Sequence, residues 1–387
     1  MDLFYQILSL EYGVRLFHRK SLIIFDEIQS FPKARQAVKY LVQDGRFDII
    51  ETGSLISIQE NVTGITIPSE ERNLLMHPLD FVEFGNYLGE EILLEHIQDC
   101  WIKKAPLPDT IHAKAMRLFK EYLIVGGMPQ AVVAYKENAR SFIEADIEKR
   151  DILTLYRNDI KKAARKYSSK ASAIFENVPG FLSKHERKIV LKEIDPNGLF
   201  SKYDDPLFWL NDSRICNLCY KCDDPNIGFA LNKNHSFVKC YMADTGLLVS
   251  LTFNENELLK DGIYKAIIND KLSINKGMLF ENAISQMLFA SEQQLYFYTH
   301  YSNVKHRNDI EVDFLISTGS KTSHKIIPVE VKSSKYYTTV SLNRFKELFS
   351  KRVAFSLIVH PKNFSIDGGF VKIPPYMCPF TFSDILK

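Results

Sequence analysis

Short apolar runs and helical stripes alternate over residues 1–90. An amphipathic start leads to the run Leu22-Ile23-Ile24-Phe25, then to a helical stripe through "KARQAVKYLVQD" and a second apolar run in "FDIIETGSL". This alternation predicts an α/β layer with a parallel sheet, because buried parallel strands read as continuous apolar runs with polar groups at their C-terminal ends. Beyond residue 91 the pattern turns helical. "AKAMRLFKEYLIVGGMPQAVVAY" and "EADIEKRDILTLYRNDIKKAARKY" predict a helical bundle with a break at Gly126-Gly127 and Pro129. Residues 170–240 predict a helix–helix–strand series that builds a winged-helix-like unit. From residue 241 strands return in "QLYFYTH", "EVDFLIS", "KIIPVEVKSS" and "VAFSLIVH", with helical segments "GMLFENAISQMLF" and "LNRFKELFS". The predicted regions are 1–90, 91–240 and 241–387, the last a second α/β domain. There are no internal repeats and no low-complexity tract.

With 387 residues the chain exceeds one core, since single cores stop growing near roughly 250–300 residues. Charged residues at 25% and hydrophobic ones at 45% are ordinary for globular domains and argue against long disordered stretches. No apolar run approaches the roughly 18–20 residues that cross a bilayer, and the start "MDLFYQILSLEYG" is acidic, so the expectation is a cytoplasmic protein with no membrane partner. Six unevenly spaced cysteines fit reduced thiols. A net charge of +2 gives no global attraction to nucleic acid, so any such site depends on local clusters of Lys and Arg.

Asp26 and Glu27 follow the first apolar run directly. In P-loop ATPases a strand of this kind ends in an Asp that holds the magnesium shell, and a following Glu orients or deprotonates the attacking water. The plainer reading is a buried strand meeting an acidic helix start, where carboxylates favour the N-terminal dipole. The next apolar run ends near Thr52-Gly53-Ser54, and a polar residue at the tip of the neighbouring strand is where such ATPases sense the γ-phosphate. This second feature favours the ATPase fold.

The series "SLIIFDEIQ", "ETGSLIS", "MHPLDFVEF", "YLIVGGMPQAV", "KCYMADTGLL", "KGMLFENAI" and "EVDFLIS…IPVEVKSS", in that order, resembles the prokaryotic AAA-type P-loop ATPases joined to a C-terminal domain of uncharacterised function with a nuclease-like core. The resemblance implies ATP and Mg²⁺ as cofactors, Asp26 and Glu27 as hydrolytic carboxylates, Thr52 as sensor and a homo-oligomer as the assembly. Two departures stand against it. Family members carry a Gly-rich phosphate loop ending in Gly-Lys-Ser/Thr well before the acidic strand, whereas only 25 residues precede Asp26 and no G-x-x-x-x-G-K-[ST] occurs in the chain. Without those amides and the lysine the β- and γ-phosphates lose most of their cradle, and a sheet without its first strand leaves an apolar patch or edge uncovered. Glu71-Arg72 also stands where the family has Gly-Arg. Arg72 is a candidate for nucleotide phosphate charge, or a solvated surface arginine.

A second constellation lies in the C-terminal region. Glu330 and Lys332 are two apart on a predicted strand and share a face, and Asp313 precedes Glu330 with room for a hairpin around Gly319. Asp313 and Glu330 sharing a divalent cation, with Lys332 beside a hydroxide or a pentavalent phosphate, is the D…E-x-K arrangement of restriction-endonuclease-like folds. Glu281 in "LFENAI" is the candidate further metal ligand, and the family resemblance implies the same four positions. The bland alternative is an exposed strand face where Glu330 and Lys332 offset each other. Against it, Val312, Phe314, Val329 and Val331 flank the acids, which predicts central strands, where unpaired charge is costly. Lys305, His306 and Arg307 before the acidic strand, and Lys335, Tyr336 and Tyr337 after it, are either a nucleic-acid approach surface or solvated loops.

Three further motifs read as structural. Cys216, Cys219 and Cys222 have C-x2-C-x2-C spacing, but on a strand Cys219 faces opposite the other two and no closely spaced fourth cysteine follows, although His235 and Cys240 lie within twenty residues. Asp244 in "ADTGLL" reads as a turn cap and Gly126-Gly127-Met128-Pro129 as a helix break. The overall expectation is a partial AAA-type sheet, a helical and winged-helix-like middle and a nuclease-like α/β domain. It acts on nucleic acid through Asp313, Glu330, Lys332 and Mg²⁺, or it is a non-hydrolytic binding scaffold.

Overall fold

The computed structural model of the protein describes residues 1–53, 72–226, 228–253, 262–269, 276–304, 306–318 and 325–386. Contacts divide the chain into two units, Met1–Met76 and His77–Lys387. In the first unit α1 (Asp2–Tyr12) stops where Gly13 takes a left-handed φ of 64°, a conformation glycine adopts at little cost. β1 (Leu22–Phe25) follows, then α2 (Pro32–Asp44), whose proline sits in the first turn where its missing N–H has no helical partner to lose. β2 (Asp48–Glu51) pairs in parallel with β1, Leu22 opposite Asp48 and Phe25 opposite Glu51. Tyr5, Ile23, Leu41 and Phe47 form the core of this unit. Ile23 is buried whereas Leu22 and Ile24 on the opposite face stay 49% and 58% exposed, so among the described residues β1 is covered on one face only.

The second unit opens with helices α3 (Phe81–Tyr87), α4 (Glu91–Ile102), α5 (Asp109–Val125), α6 (Pro129–Glu137), α7 (Phe142–Ala163), α8 (Ser168–Ser183) and α9 (Asp204–Asp212), in keeping with the expected helical middle. Next come β3 (Cys216–Cys222), β4 (Lys233–Met242), α10 (Thr245–Thr252), α11 (Gly262–Ile268) and α12 (Lys276–Ala290). The chain continues through β5 (Leu295–Ser302), β6 (Arg307–Val312), β7 (Phe314–Ser317), β8 (Ile326–Val331), α13 (Val340–Leu348), β9 (Ser356–Val359), β10 (Ser365–Asp367), β11 (Phe370–Ile373) and α14 (Cys378–Leu386).

Two sheets organise these strands, in the orders β4-β3-β5-β6 and β10-β11-β9-β8-β7. β3 pairs antiparallel with β4 and parallel with β5. The helix–helix–strand series of residues 170–240 is therefore present in sequence order, but its strands form half of a sheet completed by β5 and β6. Residue 240 falls inside β4, and the first unit ends at Met76 instead of 90. "EVDFLIS" is two strands, not one: β6 ends at Val312 and β7 starts at Phe314, so the chain changes sheet at Asp313. β7 is an edge strand, whereas β8, which carries Glu330, lies between β7 and β9. β7 and β8 are antiparallel, Phe314 opposite Val329 and Ser317 opposite Ile326, as the expected hairpin requires; Gly319 lies outside the described residues. Tyr298, Val312, Leu315, Ile326, Phe345 and Ile358 share one core, so the two sheets and α13 pack as one body.

Candidate functional site

At the N-terminal site the parallel register of β1 and β2 brings Asp26 and Thr52 side by side, each one residue past its strand. The Thr52 hydroxyl donates to the Asp26 carboxylate. The Thr52 N–H donates to Phe25 O at 2.8 Å, and the Ile28 N–H donates to Thr52 O at 3.1 Å, which ties the two strand ends together. Glu27 adopts φ 50° at the start of a short 3-10 turn, a left-handed conformation uncommon for a non-glycine residue. Arg35, 3% exposed, lies 3.4 Å from Glu51 at the end of β2. Arg72 is exposed in a segment without regular structure. Ser54 and Glu71 lie outside the described residues.

The C-terminal constellation converges further. The break between β6 and β7 aims Asp313 at the end of β8, where its Oδ2 accepts the Val331 N–H at 2.8 Å. Glu330 and Lys332 form an ion pair. Asp313 and Glu330 are 7% and 5% exposed, so both carboxylates are largely out of water. Burial pushes Glu330 up to about 7, with Asp313 and Glu311 adding to the rise and Lys332 opposing it. Burial also raises Glu311, on β6.

Glu281 lies on α12 in the same cluster, but it is not free for a metal. Its carboxylate forms ion pairs with Arg187 and, at 3.0 Å, with Lys239, and it accepts a hydrogen bond from the Tyr241 hydroxyl. Lys239 Nζ and Arg187 Nη1 also stand 3.8 and 3.9 Å from Asp313 Oδ1. These two cations occupy the gap between Glu281 and Asp313, and among the described residues no group of three or more His, Cys, Asp or Glu side chains is arranged to hold a metal ion. Asp313 and Glu330 remain as the donor pair. Glu330 Oε2 is buried without a hydrogen-bond partner, a costly state that a cation would relieve. Two carboxylates fit Mg²⁺, which usually keeps several waters and takes only one or two carboxylates.

Lys239, Tyr241 and Arg187 were not foreseen. A lysine inside the apolar strand "FVKCYM" is a signal for Lys239, because a fully buried ammonium needs a carboxylate partner. No pattern marks Arg187, which sits at φ 49° in the segment between α8 and α9. Of the proposed approach groups, Tyr337 is engaged with His360 Nδ1 at 2.9 Å and Lys305 lies outside the described residues.

Asp244 is the cap that the sequence indicates. It accepts the Leu247 N–H at 2.9 Å at the start of α10 and the Gly127 N–H at 2.6 Å beyond the end of α5. A Cβ at Gly126 would run into the Asp244 carboxylate, one at Gly127 into Leu79 O and one at Gly246 into Val125 O. Gln286 of α12 donates to the Tyr122 hydroxyl at 3.0 Å, and Asn282 bonds both Met242 N and Met242 O. Three of the sequence motifs, "VGGMPQ", "ADTGLL" and "FENAISQ", thus meet in one buried clasp between the helices and the sheets. All six cysteines are buried free thiols. A hydrogen bond to Cys240 and burial raise Cys216, and burial raises Cys219 and Cys222, which keeps them protonated.

No helix among the described residues is long and apolar enough to cross a membrane. Comparison with known families finds an AAA domain over residues 2–85, a domain of unknown function (DUF8612) over residues 116–258 and another (DUF4143) over residues 276–376. No curated protein and no solved structure matches the chain. The AAA domain holds Asp26 and Thr52, and DUF4143 holds Glu281, Asp313, Glu330 and Lys332. An AAA domain at one end and DUF4143 at the other support an AAA-type ATPase-like family for this chain.

Proposed function

We propose that the C-terminal α/β part is a nuclease-like module that acts on nucleic acid, joined to an AAA-type domain in whose residues no G-x-x-x-x-G-K-[ST] run occurs. The observation that carries the reading is the meeting of Asp313, Glu330 and Lys332 at the end of β8, with Glu330 Oε2 buried and unpaired. In this reading Asp313 and Glu330 hold one Mg²⁺. When bound, that ion polarises a phosphoryl oxygen and lowers the pKa of its water. Lys332, 26% exposed at its side chain, turns from Glu330 toward the phosphate and offsets its growing charge. Lys239 and Arg187 hold Asp313 in place and pair with Glu281 inside the fold.

The test is thermal unfolding of the full chain with Mn²⁺ or Mg²⁺, together with cleavage of a labelled oligonucleotide. At a hundredfold excess over Kd the metal is expected to raise the midpoint by roughly 2–5 °C. Asp313→Ala and Glu330→Gln should each abolish the rise, whereas Asp26→Asn should retain it. A rise that survives Asp313→Ala unchanged sinks the assignment.

A second reading, a non-hydrolytic scaffold for nucleic acid or protein, is favoured by the internal neutralisation of Glu281 and Asp313 by Lys239 and Arg187. In that reading the cluster holds β4, β8 and α12 together without a metal, and no cleavage appears at any metal concentration.

A further inference from the structure

The carboxylates around the break between β6 and β7 each have a basic group of this chain beside them. Lys332 pairs with Glu330, and His185 Nδ1 lies 3.7 Å from Glu311 Oε2. Glu281 and Asp313 share two cations. Lys239 Nζ is 3.0 Å from Glu281 and 3.8 Å from Asp313 Oδ1, and Arg187 Nη1 pairs with Glu281 and lies 3.9 Å from the same Asp313 oxygen. A divalent ion on Asp313 therefore meets two like charges next to its ligand, in surroundings where little water screens them. One of the two has to give way for the ion to be held firmly.

Lys239 is the fixed one. It sits inside β4, fully buried, paired across the sheet with Cys219, and its ammonium lies 5.0 Å from the centre of the Phe297 ring. Arg187 is held less completely. It belongs to the segment between α8 and α9, its backbone is left-handed, its side chain is 17% exposed and its Nε is buried without a hydrogen-bond partner. That segment is anchored on both sides of Arg187, where Glu186 accepts a hydrogen bond from Asn308 Nδ2 at 3.0 Å and the Ile189 N–H donates to Val238 O at 2.9 Å. The guanidinium can thus swing out while its segment stays in place. Glu281 then keeps Lys239 and the Tyr241 hydroxyl, so no carboxylate is left bare.

We propose that Arg187 is an internal competitor of the divalent cation: it stands beside Asp313 as a tethered counter-ion, gives way when the cation binds, and so sets how much metal the site needs. This rests on the reading of Asp313 and Glu330 as the metal pair and adds what regulates their affinity. The experiment is calorimetric titration of the chelator-treated full chain with Mn²⁺, with no nucleic acid present. Arg187→Gln removes the charge and should bind Mn²⁺ at least about tenfold more tightly than the wild type. Arg187→Lys keeps the charge and should stay close to the wild-type affinity. Asp313→Ala added to Arg187→Gln should abolish the binding.

Unchanged Mn²⁺ affinity in Arg187→Gln overturns the proposal. An equal gain in Arg187→Lys also overturns it, because lost packing and not lost charge is then the cause, and so does tight binding that survives the added Asp313→Ala. If Arg187→Gln folds only when Mn²⁺ is supplied, the metal has replaced the missing counter-ion and the proposal holds; if it folds under neither condition, Arg187 is structural and the proposal falls. The two readings fail separately. Asp313-dependent Mn²⁺ binding that Arg187→Gln does not tighten leaves the metal pair and removes the competitor. Tighter Mn²⁺ binding by Arg187→Gln without oligonucleotide cleavage by any form of the chain leaves the competitor and removes the nuclease-like reading.

Discussion

Burial places the Glu330 carboxyl at about 7 in the folded chain against an ordinary value of 4.5. A carboxyl raised on folding binds its proton more tightly in the native state. The associated stability is therefore fully present below pH 4.5 and is lost as pH rises through about 7. A shift of this size corresponds to something on the order of 3 kcal/mol. Urea denaturation from pH 5 to 8 should show stability declining with pH, and Glu330→Gln should flatten that decline; an unaltered slope would assign it elsewhere. Burial raises Asp244 and Glu311 with the same sign, and it lowers His77, His112 and His360 with the opposite one, so the variant comparison isolates Glu330. A metal on Asp313 and Glu330 displaces the Glu330 proton, so the Mn²⁺ shift should be larger at pH 8 than at pH 6. The residues Asp313, Glu330 and Lys332 were legible because strand periodicity and a hairpin are local. Lys239 and Arg187 were not, because the chain reaches Glu281 and Asp313 from distant segments.

The clasp is a property of elements. α5 ends at Val125 because Gly126 takes φ 81°, and α10 is capped by Asp244, whose carboxylate receives the N–H groups of Gly127, just past α5, and of Leu247 in α10. Gly126→Ala adds a Cβ where the Asp244 carboxylate sits and strains a left-handed backbone, while Asp244→Ala leaves the Gly127 and Leu247 N–H groups without their acceptor. Each change should lower the unfolding free energy by about 3 kcal/mol or more, measured by urea denaturation. Asp244→Asn, which keeps one oxygen acceptor, should cost less. The helix break and the cap were readable from "GGMP" and "ADTG", since turn chemistry is local. Their meeting was not readable, and neither was the pairing of β3 with β5, because contacts between distant segments leave no periodic trace.

On the scale of the molecule, the AAA-like unit presents Asp26 hydrogen-bonded to Thr52, but the chain contains no Gly-Lys-Ser/Thr run to cradle phosphates. ATP turnover by this chain should be negligible in a phosphate-release assay. Magnesium-dependent hydrolysis that disappears in Asp26→Asn would overturn that expectation. Leu22 and Ile24 on one face of β1 stay exposed among the described residues. The second unit holds its own core across both sheets and α13 and is where the remaining chemistry is concentrated.

The sequence by itself determined what depends on near neighbours: the apolar run into Asp26-Glu27, the helices of the middle, the caps and breaks, and the β7–β8 hairpin that joins Asp313 to the end of β8. Tertiary structure decided what depends on charge brought from afar. Glu281 faces Lys239, Tyr241 and Arg187 instead of an open metal position. The physical reason is that a buried carboxylate is stabilised by whichever cation the fold delivers to it, and sequence spacing does not record that delivery.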